Sequence, residues 1–280
     1  MKVSVIIPIY NVSRQIVGTL DSVLGQRMQD FEIILVDDHG HDDSMQVATD
    51  YLRDKQVSCQ FLSTPCNSGP GIARNVGIEA ARGEYVAFLD GDDLWHEDFL
   101  QLLLESAERH TTDLCYCQIT YQGGGRDGVV RRNPVLPAGE LTASSRKGFI
   151  RRFVTFSVCF LYRREFLLQN ELRFPEGRNS EDTNFLTRCL LLADRVACVD
   201  QPLYVYCLQE GSLSTGRNSR KWKNRIQAMN RLMASYRQLM ADPRHKHRRL
   251  QQYRGVMTLL YLKKGVGMAL KDIVEYWLHL

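Results

Sequence analysis

The chain has 280 residues, of which 44% are hydrophobic and 24% charged, with a net charge of +4. These proportions are ordinary for a soluble globular protein, and the length suffices for one large domain or a domain with an appendage. No apolar run reaches the roughly 20 residues of a membrane-spanning helix, and the opening Met1-Lys2-Val3-Ser4-Val5-Ile6-Ile7-Pro8 is too short before its proline for a signal peptide. The eight cysteines show no metal-type spacing and are expected as reduced thiols in a cytoplasmic protein.

In chain order, strand candidates fall at 3–9, 31–36, 57–62 and 85–89, dense in apolar residues with little alternation. Strands covered on both faces of a parallel sheet read this way. Helical patterns at 15–24, 44–53 and 71–81 lie between them, which predicts an α/β fold with a doubly wound, mostly parallel sheet flanked by helices. A further helix is expected from near Trp95, with Phe99, Leu102 and Leu103 on one stripe. Residues 123–137 read as a loop or short hairpin, 157–162 as a strand, and a short helix follows from Arg163. Two short strands, 196–199 and 203–207, flank Pro202. Beyond Gly216 the pattern is helical, with a break at Asp242-Pro243, so the expected division is an α/β domain over 1–215 and a helical C-terminal extension over 216–280.

The fourth strand candidate runs into Asp90-Gly91-Asp92-Asp93. Open α/β sheets bind ligands at the carboxyl ends of their strands. Carboxylates this close raise one another's pKa unless a divalent cation or ligand compensates. The other reading is a solvated turn in which Asp92 and Asp93 cap the next helix. The other strands end in Pro8-Ile9-Tyr10-Asn11, Asp37-Asp38 and Asn67-Ser68-Gly69-Pro70-Gly71. Tyr10 offers an aromatic face for a base, Asn11 and Asp38 hydrogen bonds to its polar edge, and Arg74 a reach toward a diphosphate. Each has an ordinary explanation alone, as cap, turn or surface charge; their placement at consecutive strand ends points to a nucleotide. In 180–186, helical spacing puts Asp182 on the side of Phe185, Leu186 and Cys189, where a carboxylate needs a polar cleft or a partner. Acids in a first helical turn also complement the helix dipole, so the residues alone leave both readings open.

The runs from Val5 to Pro8 with Tyr10-Asn11, Val36-Asp37-Asp38, Asn67-x-Gly69-x-x-x-Ala73-Arg74-Asn75-x-Gly77, and Gly83-Glu84-Tyr85-x-x-Phe88-Leu89-Asp90-x-Asp92-Asp93 resemble family-2 glycosyltransferases of the GT-A fold. The resemblance is dense over about the first 100 residues, and Glu181-Asp182 resembles the family's Glu-Asp motif. It implies an inverting, metal-dependent enzyme with a nucleotide-sugar donor, usually a UDP-sugar, and Mn²⁺ or Mg²⁺ on the diphosphate. By the same resemblance Pro8, Tyr10, Asn11 and Asp38 line a uridine pocket, with Asn67 among the donor-binding residues. Arg74 then lies near base and diphosphate, Asp90 near the ribose, Asp92 is the metal ligand and Asp182 the catalytic base. Two departures stand out: His39-Gly40-His41 where the family usually continues Gly-Ser, and Cys207-Leu208-Gln209 where many members carry a basic residue or histidine. The Gln-x-x-Arg-Trp motif of processive synthases is absent, so single-sugar addition is expected.

Between Arg217 and Lys264 the chain carries fourteen Lys or Arg against one acid, Asp242. Trp277 and other apolar residues recur beside lysines near the end. One reading is an interfacial helix at the inner face of the cell membrane, which suits a lipid-linked saccharide acceptor or a glycan; the other is packing on the catalytic domain or a second subunit. Nucleic acid is not expected as a partner. Two rivals remain: a nucleotidyltransferase, whose Gly-rich loop is missing from Tyr10 to Arg14, and a catalytically inactive nucleotide-binding module with a basic membrane- or nucleic-acid-binding tail.

Overall fold

The computed structural model describes residues 1–153, 156–177, 181–208, 221–248 and 250–263. The N-terminal half alternates β1 (Val3–Ile9), α1 (Ile16–Leu24), β2 (Phe31–Asp37), α2 (Ser44–Leu52), β3 (Ser58–Ser63), α3 (Pro70–Ala80) and β4 (Tyr85–Phe88). Then come β5 (Leu94–Trp95), α4 (Phe99–His110), β6 (Leu114–Gln122), β7 (Val130–Arg131), β8 (Gly139–Glu140), α5 (Ala143–Arg152), β9 (Phe160–Arg163) and α6 (Arg164–Gln169). The remaining elements are α7 (Glu181–Leu192), β10 (Arg195–Cys207), α8 (Lys221–Ala241) and α9 (Arg254–Leu260).

One sheet runs β3-β2-β1-β4-β9-β6-β10-β5, with β7 on β6 and β8 on β10. The first four strands are parallel, and their register aligns Ile9 with Asp37 and Asp37 with Ser63. Consecutive carboxyl ends therefore open onto one edge, where ligands bind in such sheets. Strands β1 and β4 are buried along their whole length, as the unbroken apolar runs predict. Beyond β4 the sheet is mixed, because β9 enters antiparallel to both β4 and β6. Helix α3 lies close on β1: a Cβ on Gly77 would sit 2.3 Å from Cγ2 of Ile6, so only glycine permits this approach.

Three expectations change. The strand expected at 157–162 begins as a turn of 3₁₀ helix, Ser157–Cys159, and becomes strand only at Phe160. The two short strands around Pro202 are one strand, β10, whose register on β6 breaks on either side of Pro202. Helix α4 starts at Phe99 and buries Leu100 and Leu104 in place of Leu102. Residues 123–129 do link a hairpin, β6 to β7. In the extension, Met229, Leu232, Tyr236, Val256 and Met257 join the same hydrophobic cluster as the sheet. Arg244 pairs with Glu171 and Asp242, and Arg248 with Asp194, so part of the tail's charge is used on this protein's own acids. Residues 209–220 and 264–280 lie outside the described residues. Among the described residues no helix is long and apolar enough to cross a membrane.

Candidate active site

Strand β1 ends in buried Pro8, followed by Tyr10, which is 37% exposed, and Asn11, whose φ of 52° is left-handed. Asn is among the few residues that tolerate this region. Asn11 Oδ1 accepts from the His41 amide at 2.6 Å, and a Cβ on Gly40 would lie 2.8 Å from that oxygen. His39-Gly40-His41 is thus a loop folded against Tyr10-Asn11, with His39 Nε2 on the Thr64 carbonyl at 2.5 Å. The departure places His39, at a left-handed φ of 55°, where the family usually has glycine, and Gly40 where a Cβ would crowd Asn11.

Asp38 is buried and engaged by this protein. Its Oδ1 accepts from Thr64 Oγ1 at 2.9 Å and the Ser68 amide at 2.8 Å, and its Oδ2 from the Gly69 amide at 2.8 Å. Asp38 therefore shapes the loop that carries Asn67; a carboxylate still has lone pairs beyond three bonds. Gly69, at φ 93°, turns that loop into Pro70 and α3.

Arg74 stands in the second turn of α3 and is 2% exposed. One guanidinium nitrogen lies 2.5 Å from Asp90 Oδ1 and the other 3.3 Å from Asp182 Oδ1, while Nε has no partner among the described residues. Its ring neighbour is Phe174, 5.2 Å away. Burial opposes the charge, but the carboxylates of Asp90 and Asp182 outweigh it and raise the Arg74 pKa. Asp182 is the second residue of α7 and also accepts from Ser157 Oγ at 2.7 Å. Burial raises the Asp182 pKa, and Arg74 and Ser157 oppose the rise. Beside it Glu181 is pushed up to about 7 by burial and by Asp182.

The acids after β4 separate by role. Asp93 is 2% exposed and accepts from the Tyr204 hydroxyl at 2.5 Å and the Cys207 amide at 2.8 Å, tying down the end of β10. Asp92 is half-buried and pushed up to about 6 by burial and by Asp90, with no cation beside it among the described residues. Neither caps α4, whose first residue lies past β5. Thr19 Oγ1 on α1 donates to the carbonyls of Gly91 and Asp93, and a Cβ on Gly91 would meet Val12 at 3.0 Å and the Pro8 carbonyl at 3.2 Å. Trp95 is core, stacked on Phe99 at 4.2 Å. Among the described residues no three His, Cys, Asp or Glu side chains converge as a metal cage, the His39-His41 pair included.

The fold thus brings Pro8, Tyr10, Asn11, Asp38 and Asn67 to one sheet edge and joins Asp90 to Asp182 through Arg74. Sequence reasoning missed Ser157, which no local pattern marks, and the tether from Asp93 to Tyr204, 111 residues away.

A family model described as Glycosyl transferase family 2 matches residues 4–169. The uncharacterized glycosyltransferase EpsJ of Bacillus subtilis (strain 168) is 37% identical over 218 residues, covering 76% of this chain and 62% of EpsJ. The uncharacterized glycosyltransferase YibD of Escherichia coli (strain K12) is 30% identical over 219 residues, covering 76% of this chain and 63% of YibD. The match thus spans less than two thirds of either relative. The crystal structure of Staphylococcus aureus TarS 1–349 in complex with UDP-GlcNAc superposes with a TM-score of 0.75 at 27% identity, covering 93% of this chain and 73% of that one. The chain belongs to glycosyl transferase family 2 and has the GT-A fold.

Proposed function

We propose that the protein transfers one sugar from a UDP-sugar to a hydroxyl of a glycan or lipid-linked acceptor in surface polysaccharide synthesis, with inversion at the anomeric carbon. The observation that carries the reading is Arg74, whose buried guanidinium holds Asp90 and Asp182 together at the sheet edge. One acid from the end of β4 and one from α7 are thereby held by a single guanidinium. The donor assignment is supported by TarS, a poly(ribitol-phosphate) β-N-acetylglucosaminyltransferase 31% identical over 209 residues and solved with UDP-GlcNAc.

In this reading residues 1–215 are the catalytic unit and 216–280 an extension. Tyr10 and Asn11 receive the base, Asp38 shapes the loop carrying Asn67 around it, and Pro8 closes the pocket floor. Arg74 faces the diphosphate, Asp90 the ribose. A divalent cation, Mn²⁺ or Mg²⁺, fits Asp92, whose half-buried carboxylate has no cationic side chain beside it among the described residues and is pushed up to about 6 by burial and by Asp90. Protein sites for such ions often supply only one or two carboxylates, the substrate phosphates and water completing the shell. When bound, the cation offsets the charge that develops on the leaving diphosphate.

Asp182 takes the proton from the acceptor hydroxyl as its oxygen attacks the anomeric carbon and UDP departs. General-base assistance contributes typically about 10²–10⁴ in rate. Asp182→Asn is therefore expected to lower UDP release by about that factor in the presence of acceptor, with donor affinity retained. Transfer undiminished in Asp182→Asn would overturn the assignment of the base.

A further inference from the structure

We propose that Ser157 is the positioning residue of the base, its hydroxyl fixing the orientation of the Asp182 carboxylate. The inference rests on Asp182 acting as the base. Asp182 lies in the first turn of α7, so its side chain needs outside partners to hold one rotamer. Among the described residues two side chains converge on Oδ1, Ser157 Oγ at 2.7 Å and Arg74 at 3.3 Å, and the Ser157 amide adds a backbone hydrogen bond that favours the carboxylate. Arg74 is shared, since its shorter contact, 2.5 Å, goes to Asp90. A diphosphate that draws the guanidinium would weaken its hold on Asp182 and leave the Ser157 contact in place.

Ser157 is itself well anchored. It is 0% exposed, in the 3₁₀ turn Ser157–Cys159, and its carbonyl accepts from the Tyr162 hydroxyl at 2.8 Å. Tyr162 is fully buried among Phe88, Phe160 and Phe185. The aromatic core beneath the sheet edge thereby sets the place of a hydroxyl aimed at the base. A buried serine hydroxyl on a carboxylate also favours its charged form. The other titratable groups around Asp182 are Arg74 on α3, Asp90 after β4, Glu181 on its own helix, and Cys159 and Tyr162 from the segment that carries Ser157. Among them Arg74 lowers the Asp182 pKa and Asp90 raises it, so removal of the hydroxyl leaves Arg74, with the Ser157 backbone amide, to hold the base ionised.

The test compares the full chain with Ser157→Ala, Ser157→Thr and Asp182→Asn, all checked for equal melting temperature; Ser157→Cys replaces the alanine variant if that one fails to fold. First, the ¹³C signal of the Asp182 carboxyl, assigned by its loss in Asp182→Asn, is titrated in ligand-free protein. Ser157→Ala is expected to move its midpoint up by roughly one pH unit, and Ser157→Thr to restore it. An unmoved midpoint in Ser157→Ala overturns the inference. Second, UDP release is followed with UDP-glucose, UDP-galactose, UDP-GlcNAc and UDP-GalNAc. Ser157→Ala is expected to lose about tenfold in kcat near neutral pH, with donor KM unchanged and the acid limb of the profile shifted upward. A kcat and pH profile equal to wild type also overturns it. The two failures are distinct: undiminished turnover in Asp182→Asn removes the base reading, whereas an immobile titration midpoint removes the role of Ser157 alone.

Discussion

A guanidinium that is 2% exposed needs carboxylate partners, because an unpaired buried charge costs several kcal/mol. Arg74 meets that need with Asp90 and Asp182, and the pairing also holds the site together before any ligand arrives. Glu181 is compensated only in part, because burial and Asp182 outweigh the pull of Arg74. Burial and Asp182 push its pKa from 4.5 up to about 7. The native state then holds a proton that the unfolded chain has released, so this contribution to stability is complete below about pH 4.5 and falls as pH rises to about 7. Glu181→Gln, neutral throughout, is expected to flatten the loss, worth on the order of 2–3 kcal/mol between those limits. Denaturant midpoints at pH 5 and pH 8 check it; an equal fall in both proteins would contradict it. Spacing alone reads Asp92 and Asp93 alike, and the resemblance singles out Asp92; the structure gives Asp93 its separate role. Asp93 is claimed by Tyr204 and Cys207, partners more than 100 residues away that no local pattern reveals.

At the scale of elements, the N-terminal half was legible because β1, β2 and β4 are short buried apolar runs punctuated by polar strand ends; β3, expected to be covered on both faces, is instead the partly exposed edge strand, with Phe61 44% exposed. The middle was less so. Pro202 suggested two strands, yet β10 passes through it with register breaks on β6, an adjustment set by the neighbouring strand. The start of β9 hides a 3₁₀ turn for the same reason: tertiary packing of Tyr162 and the carbonyl of Ser157 decides it. Helix α3 depends on Gly77, three residues beyond Arg74. Gly77→Ala places a methyl 2.3 Å from Ile6, and overpacking of this kind costs roughly 1–3 kcal/mol. Lower stability together with weaker UDP affinity is expected, since a displaced α3 carries Arg74 with it. Unchanged stability would show that α3 and β1 are less tightly joined than their spacing indicates.

For the molecule as a whole, the C-terminal helices proved easier to recognise than to interpret. Their helicity was evident, but the basic count did not reveal that Met229, Leu232 and Tyr236 enter the core or that Arg244 and Arg248 pair with Glu171 and Asp194. What remains outward is a mixed face: Leu259 and Leu262 are half-exposed on the segment that carries Arg254 and Lys263. We propose that this face meets an anionic membrane surface, consistent with a lipid-linked acceptor. Apolar residues flanked by basic ones bind such surfaces through both burial and charge. The full chain is expected to sediment with phosphatidylglycerol vesicles at low salt and to be released at high salt. Failure to sediment at low salt would remove the membrane and leave the tail as packing surface alone.

The central claim is a metal-dependent nucleotide-sugar site at the edge where β1, β2, β3 and β4 end. Calorimetric titration of UDP into the wild type and Asp92→Asn, with Mn²⁺ and with EDTA, tests it most directly. Binding by the wild type in Mn²⁺, sharply weakened by EDTA and by Asp92→Asn, is the expected outcome. Absence of UDP binding in Mn²⁺, or binding indifferent to both the ion and Asp92, would contradict it.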